Sequence, residues 1–143
     1  MVEVGVIKCM VSATLKEISK PSKNSIKKIE LLYNFKLSEF RYTYDYDSFR
    51  HILKRHSKEN KKLRADEIPI LESNFDEIRF YIENSIELVG AGNSRSRNLK
   101  TFMHIFEKEN VKTYVVFEIL QKQKEFRLKT MYKNKKHFYQ QGS

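Results

Sequence analysis

Apolar residues recur at helical spacing near the start of the chain, where Ile7, Met10, Val11, Leu15 and Ile18 lead to Pro21, so the pattern predicts a helix over residues 7–18. Residues 20–28 are polar and basic, with Pro21, Ser22, Asn24 and Ser25, and read as a loop. Ile29, Leu31, Tyr33, Phe35 and Leu37 then alternate, which predicts a half-buried strand, although Leu32 and Phe40 also allow a helix. Asp45 and Asp47 precede Phe49, Ile52, Leu53 and His56. Offsets of three, four and seven behind an Asx cap predict a short helix. Residues 57–66 hold Lys58, Lys61, Lys62 and Arg64 and almost no apolar side chain, as a basic loop does. Asn74 and Glu77 have capping-box spacing ahead of Ile78, Tyr81 and Ile82, which predicts another helix.

From residue 86 onward the periodicity becomes that of short strands, at 86–91, 99–106, 114–120 and 126–132. Their connections, 92–97, 107–112 and 121–125, are too short for the crossovers that parallel strands need, so an antiparallel meander is expected. The predicted fold is α+β, with N-terminal helices packed on a C-terminal four-stranded antiparallel sheet. On the last strand, strict alternation puts Phe126, Leu128, Thr130 and Tyr132 on one face and Arg127, Lys129, Met131 and Lys133 on the other.

A length of 143 residues suits one domain over 1–143, and ten Phe with eight Tyr imply a packed core. Residues 140–143 are expected to form a tail without structural role. Charge narrows the partners: 28 Lys and Arg against 18 Asp and Glu leave a net +10, which favours nucleic acid or an anionic membrane surface. No apolar run approaches the roughly 20 residues that span a bilayer, and the single Cys9 excludes an intramolecular disulfide or a multi-Cys zinc site. A soluble, cytoplasmic monomer with no membrane partner is expected.

His56 follows Phe49 by seven residues, at the edge of the apolar helix face, where an imidazole is partly desolvated and suited to proton transfer. A satisfied core or cap histidine is the plainer alternative. His51 lies about 140° around the helix from His56 at roughly 100° per residue, so the two are not expected to share a face. Their spacing is wrong for a metal pair, Asp45 and Asp47 read as caps, and no metal or cofactor is expected. His104, beside Phe102 and Phe106, is a reserve second proton-transfer group, and His137 sits in a polar tail. Thr130 and Tyr132 are candidate phosphate donors. Basic groups at residues 54–64, 95–100 and 122–136, interleaved with Tyr and Phe, would follow a phosphate backbone, with Lys54, Lys58, Arg95, Arg97, Lys129 and Lys133 the chosen contacts. There is no Gly-rich phosphate loop, Gly-x-Ser-x-Gly elbow, His-Glu-x-x-His or RNP-like motif.

Several segments together resemble a known family: Phe49-Arg50-His51-Ile52-Leu53-Lys54-Arg55-His56, Ile68-Pro69-Ile70, Asp76-Glu77-Ile78, Tyr114-Val115-Val116-Phe117-Glu118 and Leu128-Lys129-Thr130-Met131-Tyr132-Lys133. In this order they are similar to the phage-encoded nuclease domains of the barnase, EndoU, colicin-tRNase and RelE superfamily, over about residues 45–133. The resemblance implies an RNase fold and metal-independent cleavage of RNA, tRNA among the candidates, through the ribose 2′-hydroxyl, in a phage or toxin setting with an immunity or antitoxin protein as a further partner. It maps the catalytic histidine to His56 and the hydroxyl of the last strand to Thr130, with Arg55, His51 and Tyr132 as further catalytic positions. Where family members place a small residue, often Gly, after the histidine, this chain has Ser57. The competing expectation is a non-catalytic module, binding nucleic acid or a protein, on a degenerate nuclease fold.

Overall fold

The computed structural model describes residues 15–34, 36–95 and 97–136. The expected helix up to residue 14, Cys9, Phe35, His137 and the tail at 140–143 lie outside the described residues. Of the expected first helix, the described end is instead a strand, β1 (Lys16–Ser19). The segment predicted as loop and strand is a helix, α1 (Lys23–Tyr33), opened by Ser22, whose Oγ accepts from the Ser25 N–H at 3.1 Å. Ile26, Ile29 and Tyr33 are its core-facing residues, at helical spacing, whereas Leu31 points to solvent at 84% exposure. The alternation of residues 29–37 was therefore coincidental, and burial of the 26–29–33 stripe decided the outcome.

Next come β2 (Arg41–Tyr44), α2 (Tyr46–His56) and the two-residue β3 (Glu67–Ile68). A 3₁₀ turn over Glu72–Glu77 leads into α3 (Ile78–Glu83), the site of the predicted third helix. The expected C-terminal strands are β4 (Glu87–Asn93), β5 (Lys100–Lys108), β6 (Val111–Leu120) and β7 (Glu125–Lys135). Those four do run antiparallel to one another. They do not make up the whole sheet, which among the described residues has seven strands and is mixed, in the order β1-β2-β7-β6-β5-β4 with β3 also on β7. The short connections fixed the meander correctly but carried no information about β2, which pairs parallel with β7 across most of the chain.

Cross-strand partners define the two faces of the sheet. His104, Val115 and Met131 share one face with Phe102, Phe117 and Leu128. This face, covered by α1 and α3, holds the core: Tyr42, Ile29, Ile78, Phe126 and Met131 are fully or almost fully buried there. Tyr33 of α1 donates its hydroxyl to the Thr101 carbonyl, and Tyr81 of α3 lies 5.1 Å from Phe106, ring to ring.

A bulge corrects the face assignment on the last strand. The β6–β7 register shifts between Val116 and Phe117, which pair with Thr130 and Leu128 respectively, so Lys129 is the extra residue. One inserted residue reverses the alternation. Phe126 and Leu128 face the core, and Met131 joins them, while Thr130 and Tyr132 turn to the opposite face. Strict alternation had placed all four even-numbered residues together.

Candidate nuclease cleft

α2 is built to hold a basic C-terminus against β7. Asp45 Oδ1 accepts from the Ser48 N–H at 2.8 Å, Asp47 occupies the first turn, and Lys54, Arg55 and His56 the last, each charge complementing the helix dipole. Ile52 is fully buried, with Phe49 and Leu53 packed beside it. β7 is paired with β2 at residues 125–127 and with β3 at 133–134. Between these, on the same edge, α2 packs against β7 and a cleft of about 1020 Å³ opens. α2, β3, β7, the end of β4 and residues 94–95 beyond it all contribute to its lining.

His56 is held in the cleft by side-chain and backbone contacts. Its Nδ1 lies 2.7 Å from Oε2 of Glu67, the first residue of β3, and its ring is 5.5 Å from that of Tyr132. Tyr132 stacks in turn on Tyr114 at 4.8 Å and 17°. The His56 carbonyl accepts from the Ile70 N–H at 2.6 Å, which ties the end of α2 to the chain leaving β3. With Nδ1 engaged by the carboxylate, Nε2 is the ring atom left for a ligand. Burial, with the Tyr114 ring adding to it, raises the Tyr132 pKa, so its hydroxyl stays protonated as a donor.

His51 lines the same cleft, so the 140° separation from His56 did not keep the two apart. Desolvation lowers the pKa of the exposed His51, and the positive charges of Arg55, Lys129, His56 and Lys54 lower it further. Thr130, Arg55, Lys129 and Arg95 also line this space, together with Arg64 and Asn60 from the segment after α2. A second hollow of about 510 Å³ adjoins it, sharing His51 and Lys129 and adding Arg97, Arg127 and Glu118.

Not every residue chosen from the sequence converges here. Lys58 is exposed at the end of α2 and lines neither hollow. Lys133 lies on the other side of the sheet, 5.3 Å above the Tyr81 ring in a small pocket with Glu77, where burial lowers its pKa. His104 is also on the core face, 1% exposed, between the Tyr42 hydroxyl at 2.7 Å from Nε2 and the Ser85 hydroxyl at 3.0 Å from Nδ1. Both ring nitrogens are occupied, so His104 cannot serve as the reserve proton-transfer group. Two carboxylates that line these hollows, Glu67 and Glu118, went unremarked in the sequence: the first follows a polar loop and the second stands within an apolar strand, so neither position carries a signal of its own.

Among the described residues no helix is long and apolar enough to cross a membrane, and no group of three or more His, Cys, Asp or Glu is placed to hold a metal ion. No curated protein and no solved structure matches the chain. A family model does, over residues 19–139, a span that takes in α1 to α3, the whole meander and every cleft residue named above. By that match the chain belongs to the phage-Barnase-EndoU-ColicinE5/D-RelE like nuclease family, the third of its kind.

Proposed function

We propose that the chain is a metal-independent endoribonuclease that cleaves RNA by attack of a ribose 2′-hydroxyl on the adjacent phosphate. The observation that carries this reading is the His56–Glu67 pair at 2.7 Å within a cleft lined by Arg55, Arg64, Arg95 and Lys129. The reaction needs a base for the 2′-hydroxyl, an acid for the leaving 5′-oxygen, and cations for the charged phosphorane. His51, whose pKa is lowered by desolvation and by its cationic neighbours, suits the base. His56 suits the acid: as an imidazolium it has Glu67 for a counter-ion at Nδ1 and presents Nε2–H to the leaving oxygen. Arg55 and Lys129 stabilise the phosphorane, and Thr130 and Tyr132 donate hydrogen bonds to its oxygens. The bond from the 2′-oxygen to phosphorus forms and the bond to the 5′-oxygen breaks, leaving a 2′,3′-cyclic phosphate and a 5′-hydroxyl.

Incubation of the purified chain with bulk tRNA or total RNA in EDTA tests the reading. Discrete fragments ending in cyclic phosphate are expected. An intact but retarded band would mark a binding module in place of an enzyme.

A further inference from the structure

The face of the sheet that points away from the cleft carries a cavity of its own, of about 280 Å³, where β5, β6 and β7 meet α3. Its floor is Lys133, turned to this side beyond the bulge at Lys129, and its walls include Phe80, Tyr81, Phe106, Val111 and Thr113. The Lys133 Nζ lies 5.3 Å from the centre of the Tyr81 ring. Among the described residues no carboxylate comes within ion-pair distance of it. Glu77, the acid whose charge acts on it, instead accepts from Asn74 at 2.8 Å and from Tyr81 at 3.0 Å. Glu77, Lys108 and Glu109 are exposed at the rim, where water and salt screen them. Lys133 differs from these in being half-buried. Its desolvation, which lowers its pKa, is a cost that an anion brought into the cavity would offset.

The apolar surface extends beyond the cavity. Phe80 is 52% exposed, with its ring 5.4 Å from that of Phe106. Ile86, 54% exposed, precedes Glu87, whose cross-strand partner is Ile105, and so falls opposite Phe106 on the same side of the sheet. Aromatic and aliphatic side chains exposed together on regular elements mark a surface that a partner covers. RNA is the wrong partner, because the rim acids Glu77 and Glu109 repel a phosphate backbone that the cations of the opposite face attract. A free small carboxylate would fill the cavity and leave Phe80 and Ile86 in water. One half-buried ammonium beside an apolar shelf suits a protein segment in which a large apolar side chain neighbours an Asp or Glu.

We propose that this face is a docking site for another protein, which packs an apolar side chain against Phe80 and Phe106 and lays an adjacent carboxylate on Lys133. Cleft and docking site lie on opposite faces of one sheet, so a bound partner leaves the cleft open. The site tethers the nuclease domain without inhibiting it.

NMR titration of the whole isotope-labelled chain with the blocked tripeptide acetyl-Leu-Asp-Phe amide, and with its Asn counterpart, tests the site. The acidic peptide should shift the amide signals of Phe80, Phe106 and Lys133 and leave those of His51 and Arg55 in place. It should bind roughly fivefold tighter than the Asn peptide, the upper range for a partly exposed ion pair. Lys133→Met should bring the two peptides to equal affinity, and Phe80→Ser should weaken both. If Lys133→Met does not fold, the comparison of the two peptides on the wild type decides by itself. Equal binding of both peptides by the wild type overturns the proposal, as do shifts confined to the cleft. Phenylpropionate bound as tightly as the acidic peptide assigns the cavity to a free carboxylate, and a dimer that Phe80→Ser dissociates assigns the face to a second copy of the chain. Either of these results also overturns it.

Discussion

The contact between His56 Nδ1 and Glu67 Oε2 engages one ring nitrogen and leaves Nε2 as the one for a ligand, the arrangement that an orienting carboxylate gives a proton-transfer histidine. Glu67 touches no substrate in this account and acts through His56. Glu67→Gln keeps the shape but offers either an amide oxygen or an N–H to the ring, and loses the counter-ion for the imidazolium. The expected result is a fall in kcat of roughly tenfold or more with KM little changed, because phosphate contacts are left in place. A purely structural Glu67 would instead lower the melting temperature and leave kcat per folded molecule as it was. His56 itself was legible from its place on the apolar face of a capped helix. Its partner was not, because the pair joins the end of α2 to an edge strand eleven residues on, beyond a loop whose composition says only that it is polar and basic.

Among the elements, α2 and the four-strand meander were readable because local signals agree with tertiary burial: an Asx cap, an apolar stripe, and short turns between alternating runs. α1 was misread since its sequence alternates by chance where only the 26–29–33 stripe is buried, and the bulge at Lys129 leaves no mark in composition. That bulge is what carries Thr130 and Tyr132 to the cleft. The core face holds a separate pH-dependent feature in His104. Burial, with the charge of Lys28 adding to it, lowers its pKa from 6.5 to about 4. The unfolded chain therefore binds the proton first as pH falls below 6.5. Stability contributed by the neutral ring is complete above that pH and declines toward pH 4, by a total on the order of 3 kcal/mol. Melting temperature should drop across this window. His104→Gln, less stable at neutral pH, should show a flatter dependence there, and an unchanged slope would contradict the buried neutral ring.

For the molecule as a whole, the net charge of +10 is gathered in part where it can meet a backbone: Arg55, Arg64, Arg95 and Lys129 line one cleft. Binding to RNA should release condensed counterions, so affinity should fall steeply between about 50 and 200 mM salt. Affinity indifferent to salt over that range would exclude the basic cleft as the binding surface. The sequence disclosed this charge but not its distribution, since Lys133 and Lys58 look no different from Lys129 in composition and are turned elsewhere by the bulge and by the end of α2. The most direct test of the account measures RNA cleavage in EDTA and melting temperature on the wild type and on His56→Ala side by side. The account predicts discrete cleavage by the wild type and a loss of about 100- to 10,000-fold in the variant, with melting temperature and RNA binding nearly kept. A stably folded His56→Ala protein that cuts RNA as the wild type does would contradict it.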